Sequence, residues 1–527
     1  MNAKKFMREG RAAWQNAPRK RSNADDYQPR QMPRVLAPGR ENGAFVVMFV
    51  PLLIVIIGFC GLAIDMGNVY NRNVDVYGVA KAAALAAARE LNGTPAGITA
   101  ANAAARETVE ALRYHHFNNG AAFTWNEDAL SFSATSDRSG TWIPSASAGG
   151  GPVNELYFAR VDTAALAPAI GQVTTVFMRV LASQLSSVQV SGSAVAGRTS
   201  LNVTPIGICA MSPDASSVRT ATSASGAALS ELVQYGFRRG VSYDLMRLNP
   251  NGTGPRRFAV NPVASPGTSS TAFSDSILEP FVCSGSMWVP RLTGGDIRVS
   301  ELASSAPLAS LYAALNTRFD QYAGTSCMPR GAPPDINIKS YAYATLGEVR
   351  WMNPGSGSRA AEPATSRGKL ETVADLPTPP ASAAQYGPLW AFARAVRAPS
   401  PLTLSEPANG YSVFAVNDWQ SLYRSGPTAA GYPGNPPTPY QSGLTGSGNY
   451  VAPSVANRPL AVPRRRVLNI PLLSCSAAAP AGSNVPATVA GIAKFFMTVP
   501  ATNESLVAEF AGIAAEESLT GRVELFP

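Results

Sequence analysis

The chain has 527 residues, room for two or three domains that each bury a core, and its 46% apolar against 15% charged residues exclude disorder throughout. Its 45 Gly and 43 Pro require many turns and long loops. The net charge of +9 is concentrated in residues 1–43, where ten Lys and Arg face Glu9, Asp25, Asp26 and Glu41, so the remainder carries only +3 and a basic nucleic-acid-binding surface is excluded.

After this basic tail, Ala44 to Ile64 holds no charge. Its 21 residues at roughly 1.5 Å each reach about 31 Å, against a hydrocarbon core of about 30 Å. Pro51 sits in the early turns, where a missing amide hydrogen costs little. The run is longer than the apolar part of a cleavable secretory signal, and Phe59 before Cys60 does not fit a lipoprotein signal. The segment therefore predicts a permanent transmembrane helix anchored from Ala44 through Pro51 to Ile64, with Cys60 facing a neighbouring helix. The positive-inside rule places residues 1–43 in the cytoplasm and everything after Asp65 on the far side of a bacterial inner membrane, in the periplasm.

Residues 65–122 predict an Ala-rich helical extension. Tyr70, Val74, Tyr77, Ala84, Ala88 and Leu91 recur at spacings of three, four or seven, interrupted by Lys81, and Asn92 with Gly93 supplies a stop. Gly67 is the one place where span and extension would break. Small side chains on this face would let another helix approach closely. A helix of a partner protein and the chain's own distal domain are equally suitable occupants.

Gly43 to Gly93 resembles the N-terminal segment of TadG-like proteins of the Flp (tight adherence, Tad) pilus-assembly system. The shared features are an apolar span after a glycine, Asp65 and Gly67 at its exit, Tyr70, and the run AAALAAARELNG. Lys81 stands where the family usually has an aspartate. LNTRFDQY from Leu315 to Tyr322, RRRVLNIPLLSC and VAGIAKFFMTVP extend the likeness to most of the chain. The resemblance implies a membrane-fixed assembly component that acts through other pilus-assembly or secretion proteins.

Beyond the extension the expected fold is α+β: loop-rich, mixed α/β and built on β-sheets. Residues 123–200 predict a small β-rich module, with Leu130 and Phe132 alternating with Ser131 and Ser133, and Val188, Val190 and Ala194 alternating with polar neighbours. Val173 to Leu185 predicts a helix crossing it. Residues 201–351 combine the strands VTPIGIC, SYDLMRL and RRFAV with a helix in PLASLYAALNTRF. Residues 352–463 are rich in Pro, Gly and Ser and predict an insertion or long surface loop. Residues 464–527 return to strands that complete the sheet of the 201–351 region.

Four cysteines, Cys209, Cys283, Cys327 and Cys475, lie in the exported part, an even number that suits an oxidising compartment. Three pairings are possible, and free thiols are the alternative. PIGIC and PLLSC each end an apolar run on a cysteine, so adjacent strand ends would join Cys209 to Cys475 and leave Cys283 for Cys327.

Catalytic patterns are sparse. His115 and His116 are adjacent, with no cysteine or carboxylate at ligand spacing, and no nucleophile elbow, phosphate loop or HExxH helix occurs. Some TadG relatives carry a von Willebrand A domain whose metal site uses an aspartate followed by two spaced serines. Here Ser284 and Ser286 follow Val282 instead, and Asp214 with Ser216 is followed by Val218, so a hard divalent cation lacks its ligands. The expectation is no catalytic residue, cofactor or metal. The function expected is structural or assembly work, with a surface adhesin or matrix-binding protein as the alternative and a membrane-anchored periplasmic enzyme as the second. Prepilin-type segments place glutamate fifth after the cleaved glycine. Met48 takes that place after Gly43, so the amine released by cleavage would lack its partner and the tail is expected to remain.

Overall fold

The computed structural model describes residues 44–112, 123–167, 170–223, 225–264, 271, 273–309, 311–342, 349, 351, 359–360, 364–366, 369–371, 386–403, 406–423, 428–433, 438–442 and 448–527. The chain divides into two compact units, Met1–Leu62 and Ala63–Pro527. Helix α1 (Ala44–Glu90) supplies the described part of the first unit and opens the second. It runs through Pro51 and Gly67 without interruption, and every residue from Val47 to Cys60 is exposed. This helix is long and apolar enough to cross a membrane. Cys60, expected against a neighbouring helix, is exposed and unpaired.

In the second unit the buried stripe of α1 is Asp65, Arg72, Val76, Val79, Ala80, Ala83, Ala84, Ala87 and Ala88, continued by Leu91. The expected face is therefore corrected in its first half. Ala84, Ala88 and Leu91 are buried, Tyr77 is half-buried with the Lys81 ammonium 4.2 Å from its ring centre, and Tyr70 and Val74 stand exposed. Periodicity alone fixes the spacing of a stripe, not which of two neighbouring stripes turns inward. Helix α2 (Pro95–Ala111) begins with Pro after the cap Thr94, whose hydroxyl accepts the Gly97 amide at 3.2 Å, and buries Ile98, Ala101, Ala105 and Val109.

The strands follow in chain order: β1 (Leu130–Ser133), β2 (Ile143–Pro144), β3 (Phe158–Asp162), β4 (Gln172–Thr174), β5 (Ser187–Gln189) and β6 (Ser193–Leu201). Next come β7 (Ile206–Cys209), β8 (Ser217–Thr222), β9 (Ala228–Gln234), β10 (Phe237–Arg238), β11 (Ser242–Asp244), β12 (Arg257–Val260) and β13 (Asp296–Glu301). The last are β14 (Ala364–Ser366), β15 (Lys369–Glu371), β16 (Val467–Leu473), β17 (Val485–Met497), β18 (Val507–Ala514) and β19 (Thr520–Phe526). Two further helices matter here, α3 (Asp275–Ser284) and α4 (Leu311–Asn316).

One antiparallel sheet has the order β19-β6-β3-β1-β2. Alternate residues Leu130, Phe132, Ala159, Val161, Ala194 and Ala196 share one core with α1 and α2. A seven-stranded sheet has the order β11-β18-β17-β13-β12-β7-β16, and β16 also pairs with β17, so five of its strands close into a ring. Phe258 and Val260 join one cluster beside Cys209 and Leu473, while Ile206, Ile208 and Ala259 on the opposite face belong to the largest core.

Three expectations change. Val173 to Leu185 is not a crossing helix: β4 and β5 pair as a hairpin, with only the short helical turns Met178–Leu181 and Ser183–Leu185 between them. β19 joins the first sheet, pairing with β6 from Thr520↔Leu201 to Phe526↔Val195, so only β16 to β18 complete the second. The described parts of 352–463 are not surface alone: Leu402, Val413 and Val455 are exposed, but Tyr386, Trp390, Trp419, Tyr423, Tyr432 and Tyr440 enter the largest core, which leaves the expectation of an insertion open. Loops carry these rings inward because large aromatics bury apolar area from any backbone.

Candidate functional site

The end of the apolar run is built into the fold by Asp65. Its carboxylate accepts the Val176 amide at 3.1 Å, the Phe177 amide at 2.8 Å and the Met178 amide at 2.7 Å. These are the free N–H groups where the helical turn Met178–Leu181 begins, a position that favours a carboxylate. A second clasp lies three turns along α1. A Cβ on Gly192 would stand 2.8 Å from Tyr77 Cα, so the chain between β5 and β6 passes the helix at backbone contact and only glycine fits. The Gly192 amide and carbonyl both bond the Thr163 hydroxyl, at 2.8 and 3.0 Å. These two attachments set the rotation of α1 and explain why Arg72 and Val76, not Tyr70 and Val74, face inward. Outside the clasp, Val176 and Val180 are 62% and 84% exposed.

Arg318 of LNTRFDQY and Arg466 of RRRVLNIPLLSC are both buried in the interior. Arg318 donates to the Val282 carbonyl at 2.9 Å, and its own carbonyl accepts the Asp335 amide at 3.0 Å. The Asp335 carboxylate accepts from the Arg466 amide, the Asn337 amide and the Tyr440 hydroxyl. Burial pushes the Asp335 acid up, against the pull of the Arg466 charge and these three donors. Arg466 is fully buried between the rings of Phe319 and Phe496, 4.3 and 4.4 Å from their centres. It donates to the carbonyls of Asn337 (3.0 Å), Lys339 (2.9 Å), Met497 (3.0 Å) and Thr498 (3.1 Å). Arg318 and Arg466 thus serve to hold the core together.

Cys209 and Cys475 are joined, with Cα atoms 5.5 Å apart where β7 and β16 run in parallel, and Cys283 is joined to Cys327 at a Cα separation of 6.1 Å. Glu279 lies beside the second pair, its carboxylate and both sulfurs within 4.8 Å. Disulfide sulfurs lack the thiolate charge that a metal needs. The carboxylate instead accepts the Thr325 hydroxyl at 2.6 Å and the Ser326 amide at 2.8 Å, which hold its pKa below the ordinary carboxylate range.

Ser284 and Ser286 do meet, their hydroxyls 2.8 Å apart at the end of α3, while Val282 is fully buried. They line a groove of about 930 Å³ with Thr199, Asn202, Phe281, Trp288, Arg522 and Glu524. Trp288 is 68% exposed and edge-on to Phe281, with ring centres 5.3 Å apart. Sequence reasoning passed over Trp288, although a tryptophan two residues beyond a hydroxyl cluster was a readable signal. Asp214 sits elsewhere, before β8, with its main chain bonded to Ser212 and Tyr235. His115 and His116 lie outside the described residues.

Glu509 is a further group that the sequence did not single out. Fully buried on β18, it accepts the Ala391 amide on one oxygen at 2.6 Å, and on the other the Phe392 and Ala393 amides at 2.9 and 2.6 Å. Burial pushes its acid up to about 7, against these three hydrogen bonds. Its role is to hold the loop that carries Trp390 against the sheet. The chain matches no family model, no curated protein and no solved structure.

Proposed function

We propose that this chain is a single-pass, membrane-anchored structural or assembly component of a Flp/Tad-type pilus or secretion system, working through protein contacts on the periplasmic side. The observation that carries the reading is α1: an exposed apolar stretch is followed, in the same helix, by a stripe buried in a large α+β body. An anchor that continues into a folded body suits a part that positions other proteins. The likeness of Gly43–Gly93 to TadG-like segments supplies the choice of system. On this reading the tail is cytoplasmic, the body periplasmic, and the chain is not an enzyme. Deletion should abolish assembled pili on the cell surface and the full-length gene should restore them. Normal piliation of the deletion strain refutes the reading. A phosphatase reporter fused after Leu201 should be active and one fused after Arg34 inactive, and the reverse pattern refutes the orientation.

The groove beside Trp288 favours one second reading, a surface adhesin or matrix-binding protein, because an exposed indole among hydroxyls and charges is a contact surface. Retained piliation with loss of surface attachment in Trp288→Ala would select it.

A further inference from the structure

We propose that the tip of the β4–β5 hairpin is a second membrane contact, seated in the headgroup layer of the leaflet from which α1 emerges. This rests on the reading that Ala44–Ile64 spans a bilayer. Asp65, the first charged residue after that run, is hydrogen-bonded to the amides of Val176, Phe177 and Met178. Wherever the membrane surface meets the end of the run, the hairpin tip is one hydrogen bond from it.

The side chains at this tip suit that place and suit water poorly. Val176 and Val180 are 62% and 84% exposed, and Leu185 beyond them is 39% exposed. The adjoining turn of α1 adds Ile64 and Met66, each 54% exposed. Apolar groups gathered on a short loop gain by entering the boundary between acyl chains and headgroups, and the loop needs no spanning length to do so. Exposed Arg179 lies among them and can reach lipid phosphates from the same loop. Tyr70, 68% exposed, stands six residues past Ile64, about 9 Å farther along the helix. That is headgroup depth, where tyrosine is favoured. The hairpin would then act as an outrigger: with α1 it gives the body two footings, which fixes its tilt and rotation above the membrane where a lone helix leaves rotation free.

The test uses the full-length chain with Cys60→Ala, so that the remaining cysteines are those in the two disulfides. Single cysteines are introduced at Val180, at Ile54 in the span and at Val218 on β8, all exposed positions. Each is labelled with an environment-sensitive fluorophore and reconstituted into vesicles of phosphatidylethanolamine and phosphatidylglycerol containing nitroxide lipids. A shallow nitroxide should at least halve the emission at position 180, iodide should quench it weakly, and position 218 should show the opposite. Position 54 should respond to a deep nitroxide. If position 54 is quenched and 180 is not, the span stands and the hairpin contact is overturned, with strong iodide quenching marking a tip in water and weak quenching a tip covered by protein. If position 54 is not quenched, the spanning reading fails and this inference falls with it.

Discussion

Replacing Glu509 with Gln isolates one buried titration and gives a signed pH dependence. In the folded chain the acid is pushed up to about 7, from an ordinary value of 4.5. Between those values the folded form keeps a proton that the unfolded form has released. This group's contribution to stability is therefore full below about pH 4.5 and is lost as pH rises through 7. From pH 5 to 8 the loss works out at about 2.5 kcal/mol for a shift of this size. Gln cannot titrate, so the difference between wild type and variant removes every other ionising group from the comparison. The variant also places an amide N–H₂ against a backbone donor, only that of Ala391 when its oxygen keeps the Phe392 and Ala393 amides. Leaving that donor unmet costs about 1–3 kcal/mol at every pH. Denaturant unfolding of the full chain in detergent, followed by tryptophan fluorescence at each pH, measures both terms. The stability advantage of wild type should shrink by about 2.5 kcal/mol from pH 5 to 8. An advantage that stays flat, or grows with pH, refutes the reasoning and shows the carboxylate ionised throughout.

Non-reducing peptide mapping should recover Cys209 linked to Cys475 and Cys283 linked to Cys327; free thiols at all four would contradict the structure. Because the first link closes a separation of 266 residues, reduction should cost up to about 5 kcal/mol on the chain-entropy account, read as a lower unfolding midpoint. Arg466→Leu should destabilise by about 3–5 kcal/mol, because it removes the guanidinium's hydrogen bonds to four carbonyls, of which Thr498 keeps the Tyr341 amide, and leaves Asp335 without its neighbouring cation. Arg466→Lys should recover less than half of that loss, since one ammonium cannot reproduce the fork; full recovery would show that charge alone suffices. Intact-mass analysis of the native protein should find the tail retained, and a chain starting at Ala44 would show that cleavage after Gly43 occurs despite Met48.

Sequence by itself determined the elements whose cause is local. An uncharged run of 21 residues marks a long apolar helix, and the alternation from Leu130 to Ser133 marks β1. The apolar runs ending in Cys209 and Cys475 even point to their pairing. Tertiary structure alone decided which face of α1 turned inward, since the 3.6-residue period is the same for both stripes and the choice was made by Asp65 and by the close pass of Gly192. It also decided that β19 pairs with β6 across more than three hundred residues, because strand alternation names a face and not a neighbour. The Pro- and Gly-rich segment reads as surface by composition, yet its widely spaced Trp and Tyr side chains fill the core. Burial follows from where each ring can reach, and a few large rings outweigh the polar loops that carry them. The cup around Glu509 has no sequence signal at all, because its three partners are backbone amides, and every residue but proline has one.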